Sequence, residues 1–146
     1  EEASMKVQSG MEMKGRLTIA LNDEIVQEVD NLVVTAGKGY VASRMAGTSA
    51  TVMSHMAIGS GTSAAAASDT ALGNELARTQ LTSTNVSGAD VTYVDTFAAG
   101  TGTGAVTEAA ILNANSGGTM LCRTVFSVVN KGASDSMTIT WVVTAS

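Results

Sequence analysis

The sequence predicts a mainly β protein: an antiparallel β-sandwich or jelly-roll-like domain with one short helix near residues 36–46. Three observations carry this expectation. Apolar and polar residues alternate in short runs, the period of a half-buried strand. Clusters of Gly, Ser, Asn and Asp interrupt these runs about every 8–12 residues, as a sandwich of short strands requires. The runs themselves are rich in Thr and Val, which suit a pleated surface. No fixed-period repeat is present, which argues against a solenoid or propeller.

Residues 1–13 precede the first periodic segment and read as an extended arm, with a disordered tail as the alternative; Met5, Met11 and Met13 lie in it. A single β-sandwich domain is expected over residues 14–146. From Gly15 to Leu21, Leu17, Ile19 and Leu21 share one face, with Arg16 and Thr18 on the other. Asn22-Asp23-Glu24 supplies turn chemistry, so Ile25 to Asp30 returns as the second arm of a hairpin, and Asn31 to Val34 continues the sheet in the interior. Thr35 can cap a helix over Ala36 to Ala46, where Val41, Ala42 and Met45 recur at helical spacing and which Gly47 stops. Gly37 and Gly39 weaken that helix by roughly 1 kcal/mol each relative to Ala.

His55 to Gly59 reads as a buried strand running into a loop, Ser60 to Asp69, of almost pure Ser, Gly, Thr and Ala. Ala64 to Ala67 are too few to nucleate a helix. A further helical turn can form over Asp69 to Leu76, capped by Ser68 or Asp69. From there a succession of strands is expected, the first of them Arg78 to Val86, which alternates weakly. Val91 to Ala98 carries apolar residues on both faces, which places it centrally. Ala105 to Ala114 and Thr119 to Val128 pair around Asn115-Ser116-Gly117-Gly118. After the turn Lys131 to Asp135, Met137, Ile139, Trp141 and Val143 alternate with Thr138, Thr140, Val142 and Thr144. Trp141, Phe126, Phe97, Ile139 and Leu121 are the expected core.

Composition narrows the function classes. A net charge of −5 argues against a protein that holds nucleic acid by its phosphates. Apolar stretches are broken by Gly, Ser and Thr far short of the roughly 18 residues of a spanning helix, so no membrane partner is expected. One Cys excludes an intramolecular disulfide framework and a Cys-cluster zinc site. The one imidazole, His55, follows Ser54, and strand neighbours point to opposite faces, so no nucleophile–base pair is expected there. Cys122 reads as a small buried hydrophobe.

Carboxylates offer little more. Asp23, Glu24, Glu28 and Asp30 cluster around the first hairpin without EF-hand spacing. Asp90 with Asp95, or Glu108 with Asp135, has no spacing that marks a glycosidase pair. Gly100-Thr101-Gly102-Thr103-Gly104 precedes a predicted strand rather than a helix, and reads as a flexible hairpin connection instead of a phosphate cradle. Asn85-Val86-Ser87 matches a glycosylation sequon, relevant only to a eukaryotic secretory context that nothing else supports. No catalytic residue, metal ligand or cofactor is assigned, and an enzyme is not expected.

Several phrases occur in order: Asn31 to Lys38 (NLVVTAGK), Met56 to Thr62 (MAIGSGT), Asp69 to Arg78 (DTALGNELAR), Phe97 to Gly104 (FAAGTGTG), Glu108 to Asn113 (EAAILN), Gly118 to Phe126 (GTMLCRTVF) and Met137 to Val143 (MTITWVV). Together they resemble small virion structural proteins of tailed bacteriophages, a group comprising capsid decoration (cement) and tail-fibre-like proteins. The resemblance spans roughly residues 15–144 and transfers no catalytic residue. It implies a non-enzymatic protein on the outer surface of the head, bridging copies of the major capsid protein and associating with copies of itself. A tail or tail-fibre adaptor or tip is the alternative, with tail proteins as partners. A carbohydrate-binding module is more remote, since few aromatics are available for sugar stacking. Met5, Met11, Met13, Ser60, Thr62 and Ser63 are the interface candidates, with a mobile surface loop as the alternative for the last three.

Overall fold

The computed structural model describes residues 12–47 and 50–145. They form one antiparallel nine-stranded curled sheet and one short helix, consistent with the expected sandwich or jelly-roll-like class. In chain order the elements are β1 (Met13–Leu21), β2 (Glu24–Val33), α1 (Thr35–Met45), β3 (His55–Gly59), β4 (Glu75–Gln80), β5 (Ser83–Ser87), β6 (Asp90–Phe97), β7 (Gly104–Leu112), β8 (Met120–Lys131) and β9 (Met137–Ala145). Across the sheet the order is β4-β3-β7-β8-β2-β1-β9-β6-β5. β2 joins the two halves, pairing with β8 only at Leu32–Arg123 and Val33–Cys122. The curl folds the halves onto each other.

The core lies between them. Leu17 and Ile19 of β1, Phe97 of β6 and Ile139 and Trp141 of β9 pack with Met56 and Ile58 of β3, Ile111 of β7 and Leu121 and Phe126 of β8. All five expected core residues are buried. The alternation in β1 and β9 was a reliable signal because one face of each meets this core and the other meets solvent.

Asn22 and Asp23 both have positive φ, 52° and 69°, so the first hairpin closes on a two-residue turn that matches the right-handed strand twist. Met13 pairs directly with Ala145 as the first residue of β1, so strand structure begins inside the segment expected to be an arm. Met5 and Met11 lie outside the described residues.

The helix forms where expected, one residue earlier. Val34, not Thr35, is its N-cap and makes no side-chain capping bond; Thr35 is already helical, and its amide donates to the Ala67 carbonyl at 2.8 Å. Gly47 ends the helix with φ 70°. Gly37 is the one buried helical position, and a Cβ there would collide with the Leu121 carbonyl. Its cost in propensity thus permits close approach of helix and β8. Gly37→Ala is expected to destabilise the fold by about 1–3 kcal/mol, as overpacking does, although Ala is the better helix former. Urea denaturation checks it; a stabilised variant would contradict the close approach.

Three expectations need correction. Arg78 to Val86 is not one strand: the chain leaves β4, crosses at Leu81–Thr82 and enters β5 at the opposite end of the sheet order. β6 is next to the edge rather than central, and its inner face carries the polar Asp95 between Tyr93 and Phe97. Residues 100–104 connect β6 to β7, which are not neighbours, so that segment crosses between the halves and is no hairpin turn.

Candidate functional site

The loop after β3 carries the main polar architecture. No helical turn forms over Asp69 to Leu76; residues 60–74 run as turns and extended chain. Asp69 accepts the Ala66 amide through Oδ2 at 2.8 Å, while its own amide donates to the Ala66 carbonyl at 3.0 Å, closing a tight turn in place of a cap. The loop covers the outer face of β3 and β7. Ala57, Ala110, Leu112 and Met120 are buried there with Val34, and Leu72 packs on them. That cover explains why β7 is buried on both faces from Val106 to Leu112.

Glu108 of β7 is fully buried beneath this loop. Its Oε2 accepts the amides of Gly61 at 2.7 Å and Asn74 at 2.8 Å; its Oε1 accepts the Gly73 amide at 2.8 Å. Arg123 of β8, 2% exposed, donates from Nη2 to Oε1 at 2.9 Å and from Nε to the same oxygen at 3.2 Å. Its Nη1 reaches Asp69 Oδ2 at 2.8 Å and its Nη2 the Ser63 carbonyl at 3.1 Å. Burial pushes the Glu108 carboxyl up, but the Asn74 and Gly73 amides, the Arg123 guanidinium and the Gly61 amide outweigh it and hold the group below its usual value. A Cβ at Gly59 or Gly61 would run into the Glu108 carboxylate, so glycine leaves the loop backbone room to close on it.

The interface candidates on this loop are therefore fixed at the backbone. Ser60 is half-buried; its amide donates to the Asn74 carbonyl at 2.9 Å and its Oγ accepts from Asn74 Nδ2 at 2.6 Å. Thr62 and Ser63 are exposed. Thr62 lines a shallow groove of about 440 Å³ with Asp30, Leu32, Ala64 and Val125. The loop is tied down at Gly61, Ser63, Asp69, Gly73 and Asn74.

No protein-family model, curated protein or solved structure matches this chain.

Ser54 and His55 do touch, contrary to the sequence expectation: Ser54 Oγ and His55 Nδ1 are 2.7 Å apart. Strand alternation failed as a guide because Ser54 precedes β3, whose first residue is His55. Among the described residues no carboxylate hydrogen-bonds the other ring nitrogen, so the pair has no third member to orient it. Cys122 is buried, which pushes its thiol up and away from the reactive thiolate.

The carboxylates weighed as acid–base pairs are dispersed. Asp90 accepts from Thr144 Oγ1 at 2.7 Å. Asp95, five residues on, sits on the opposite face of β6, 1% exposed, and accepts from the Thr79 and Thr82 hydroxyls. Burial raises its carboxyl to about 6 against the lowering effect of the Thr79 hydroxyl, the Thr96 backbone and the Thr82 hydroxyl. Asp135 binds Asn22 Nδ2 at 2.9 Å and the Gly132 amide at 2.7 Å, far from the loop that holds Glu108. Lys131, 1% exposed, ties two turns by donating to the carbonyls of Ala98 and Asp135, at 2.9 and 2.7 Å. Glu28 and Asp30 pair with Arg16, at 2.7 and 3.5 Å. Among the described residues no group of three His, Cys, Asp or Glu side chains is placed to hold a metal ion. Trp141 and Phe97 are fully buried, and Tyr93 and Phe126 each 8% exposed, which leaves Tyr40 as the one half-exposed ring for sugar stacking.

Proposed function

We propose that this chain is a non-enzymatic structural protein of a tailed-phage virion, a decoration protein that binds the outer head surface and bridges major capsid subunits. One observation carries the reading. Four of the ordered phrases that resemble such proteins converge in space on a single fastening: Gly59 and Gly61 from the first, Asp69, Gly73 and Asn74 from the second, Glu108 from the third and Arg123 from the fourth. These residues thus serve shape. They hold a small-residue loop rigidly over the sheet, so that Thr62 and Ser63 meet a partner with little ordering entropy left to lose.

Purified protein added to heads that lack it is expected to co-sediment with them, and an electron-microscopy map of the decorated particle to place the chain across neighbouring capsid subunits. Retention by tail preparations without binding to heads would replace this reading with the tail adaptor. Binding to neither would remove the virion reading.

A further inference from the structure

We propose that the groove between α1 and the adjoining end of the β1–β9–β6 sheet seats residues 5–11 of this same chain, which run on over the helix as a clasp. α1 leaves an apolar stripe uncovered. Val41 is half-buried and Met45 77% exposed, one helical turn apart on one face. Two adjoining grooves, of about 510 and 340 Å³, meet along that stripe, and Met13 of β1 lines both of them with Val41 and Met45. Val91, Tyr93 and Val143 close the second groove from the sheet side.

The occupant is written in the phase of β1. Leu17 and Ile19 face the core, and Met13, in step with them, packs against the same core. The alternation runs back through the preceding residues without a change of phase. Met5, Val7 and Met11 are in step with Met13, with Ser9 the one polar member, while Lys6, Gln8 and Glu12 fall on the other side. Residues in step with Met13 meet what Met13 meets, which is Val41 and Met45. No linker is needed, because Glu12 itself lines the first groove. Extended chain from Met13 back to Met5 spans about 26 Å, against about 16 Å for a helix of the length of α1, so its apolar side chains can cover the whole stripe.

Charge points the same way. The two cations of α1, Lys38 and Arg44, are exposed and have no carboxylate partner among the described residues, whereas Lys14, Arg16, Arg78 and Arg123 each have one. Glu1 and Glu2, just upstream of Met5, bring the missing sign. A second copy carries the same segment, but this chain's own is tethered beside the groove at an effective concentration in the millimolar range, which favours the same chain in dilute solution. The clasp does not depend on the virion reading, and it turns Met5 and Met11 toward the chain's own helix instead of a partner.

Methionine oxidation by hydrogen peroxide, read residue by residue by peptide mass mapping, tests it on the full chain. Met45 is expected to oxidise at least about tenfold more slowly than in Val7→Glu, the ratio that undocking one buried aliphatic side chain gives. Gln8→Glu, which adds the same charge on the outer side, should leave Met45 as slow as in wild type. Met53 and Met56, 5% and 0% exposed, report the fold in the same spectrum. Met5→Glu takes the place of Val7→Glu if that variant exposes them. Equal Met45 rates in wild type, Val7→Glu and Met5→Glu overturn the proposal. So does protection that appears only as the chain is raised from about 1 μM to 1 mM, which would give the groove to the segment of a second copy.

Discussion

Glu108→Ala is expected to destabilise the protein by about 3–5 kcal/mol, the range for removing one partner of a buried ion pair. The change leaves Arg123 buried with only Asp69 as a charged partner, and it strips acceptors from the amides of Gly61, Gly73 and Asn74. Arg123→Met should cost less, because Met fills much of the space and Glu108 keeps three amide donors. Urea denaturation gives the order of the two. Limited proteolysis should show cleavage within residues 60–74 appearing first in Glu108→Ala. A loss under about 1 kcal/mol with no new cleavage would mean that the loop is held by Leu72 packing and turn geometry alone. The acid side follows the same logic. The Glu108 carboxyl lies below its usual value when folded, so its contribution is present above its unfolded pKa and is lost as pH falls through the folded one.

Asp95→Asn should do the opposite and stabilise the protein near neutral pH. Burial raises this carboxyl from 3.8 to about 6. Below 3.8 both folded and unfolded chains hold the proton, and the group adds nothing to the pH dependence. Between the two values the unfolded chain releases the proton while the folded chain keeps it, so wild-type stability falls as pH rises; above about 6 the penalty is constant. Asn keeps an oxygen for the Thr79 hydroxyl and carries no charge. The variant should therefore match wild type near pH 3 and exceed it by about 1–3 kcal/mol at pH 7, two pKa units being an upper bound of nearly 3. Denaturation midpoints across pH 3–8 would show a difference curve rising through about pH 4–6. A flat difference, or a destabilised variant at pH 7, would show that the threonine hydroxyls already compensate the charge.

How far the fold could be read from the chain depended on what covered each strand. β1 and β9 alternate because one side meets the core, and the turns at Asn22–Asp23 and after Lys131 are written in residues that favour them. The boundary between β4 and β5 was invisible because Leu81 and Thr82 include no turn former. The cover over β7 was equally hidden: residues 60–74 have no apolar period, since they hold the sheet through backbone amides and one carboxylate.

A signal for the fastening did exist. Glu108 and Arg123 are the only charged residues in two otherwise uncharged runs, Gly104–Leu112 and Met120–Val129, that pair with each other. Opposite charges on the same side of a predicted hairpin mark a buried pair when both strands are too apolar to face solvent. Asp69 and the three amides could not be found that way, because loop closure rather than strand register brings them in.

The pairing of Met13 with Ala145 has a mechanical consequence. Both ends of the described chain leave the sheet side by side, about 5 Å apart at the Cα atoms as in any antiparallel pair. Tension applied through the two ends would load the β1–β9 ladder at its last rung and open it one bond at a time, like a zipper. Tension applied along the strands from opposite ends of the pair would instead load all nine register pairs, from Met13–Ala145 to Leu21–Met137, at once.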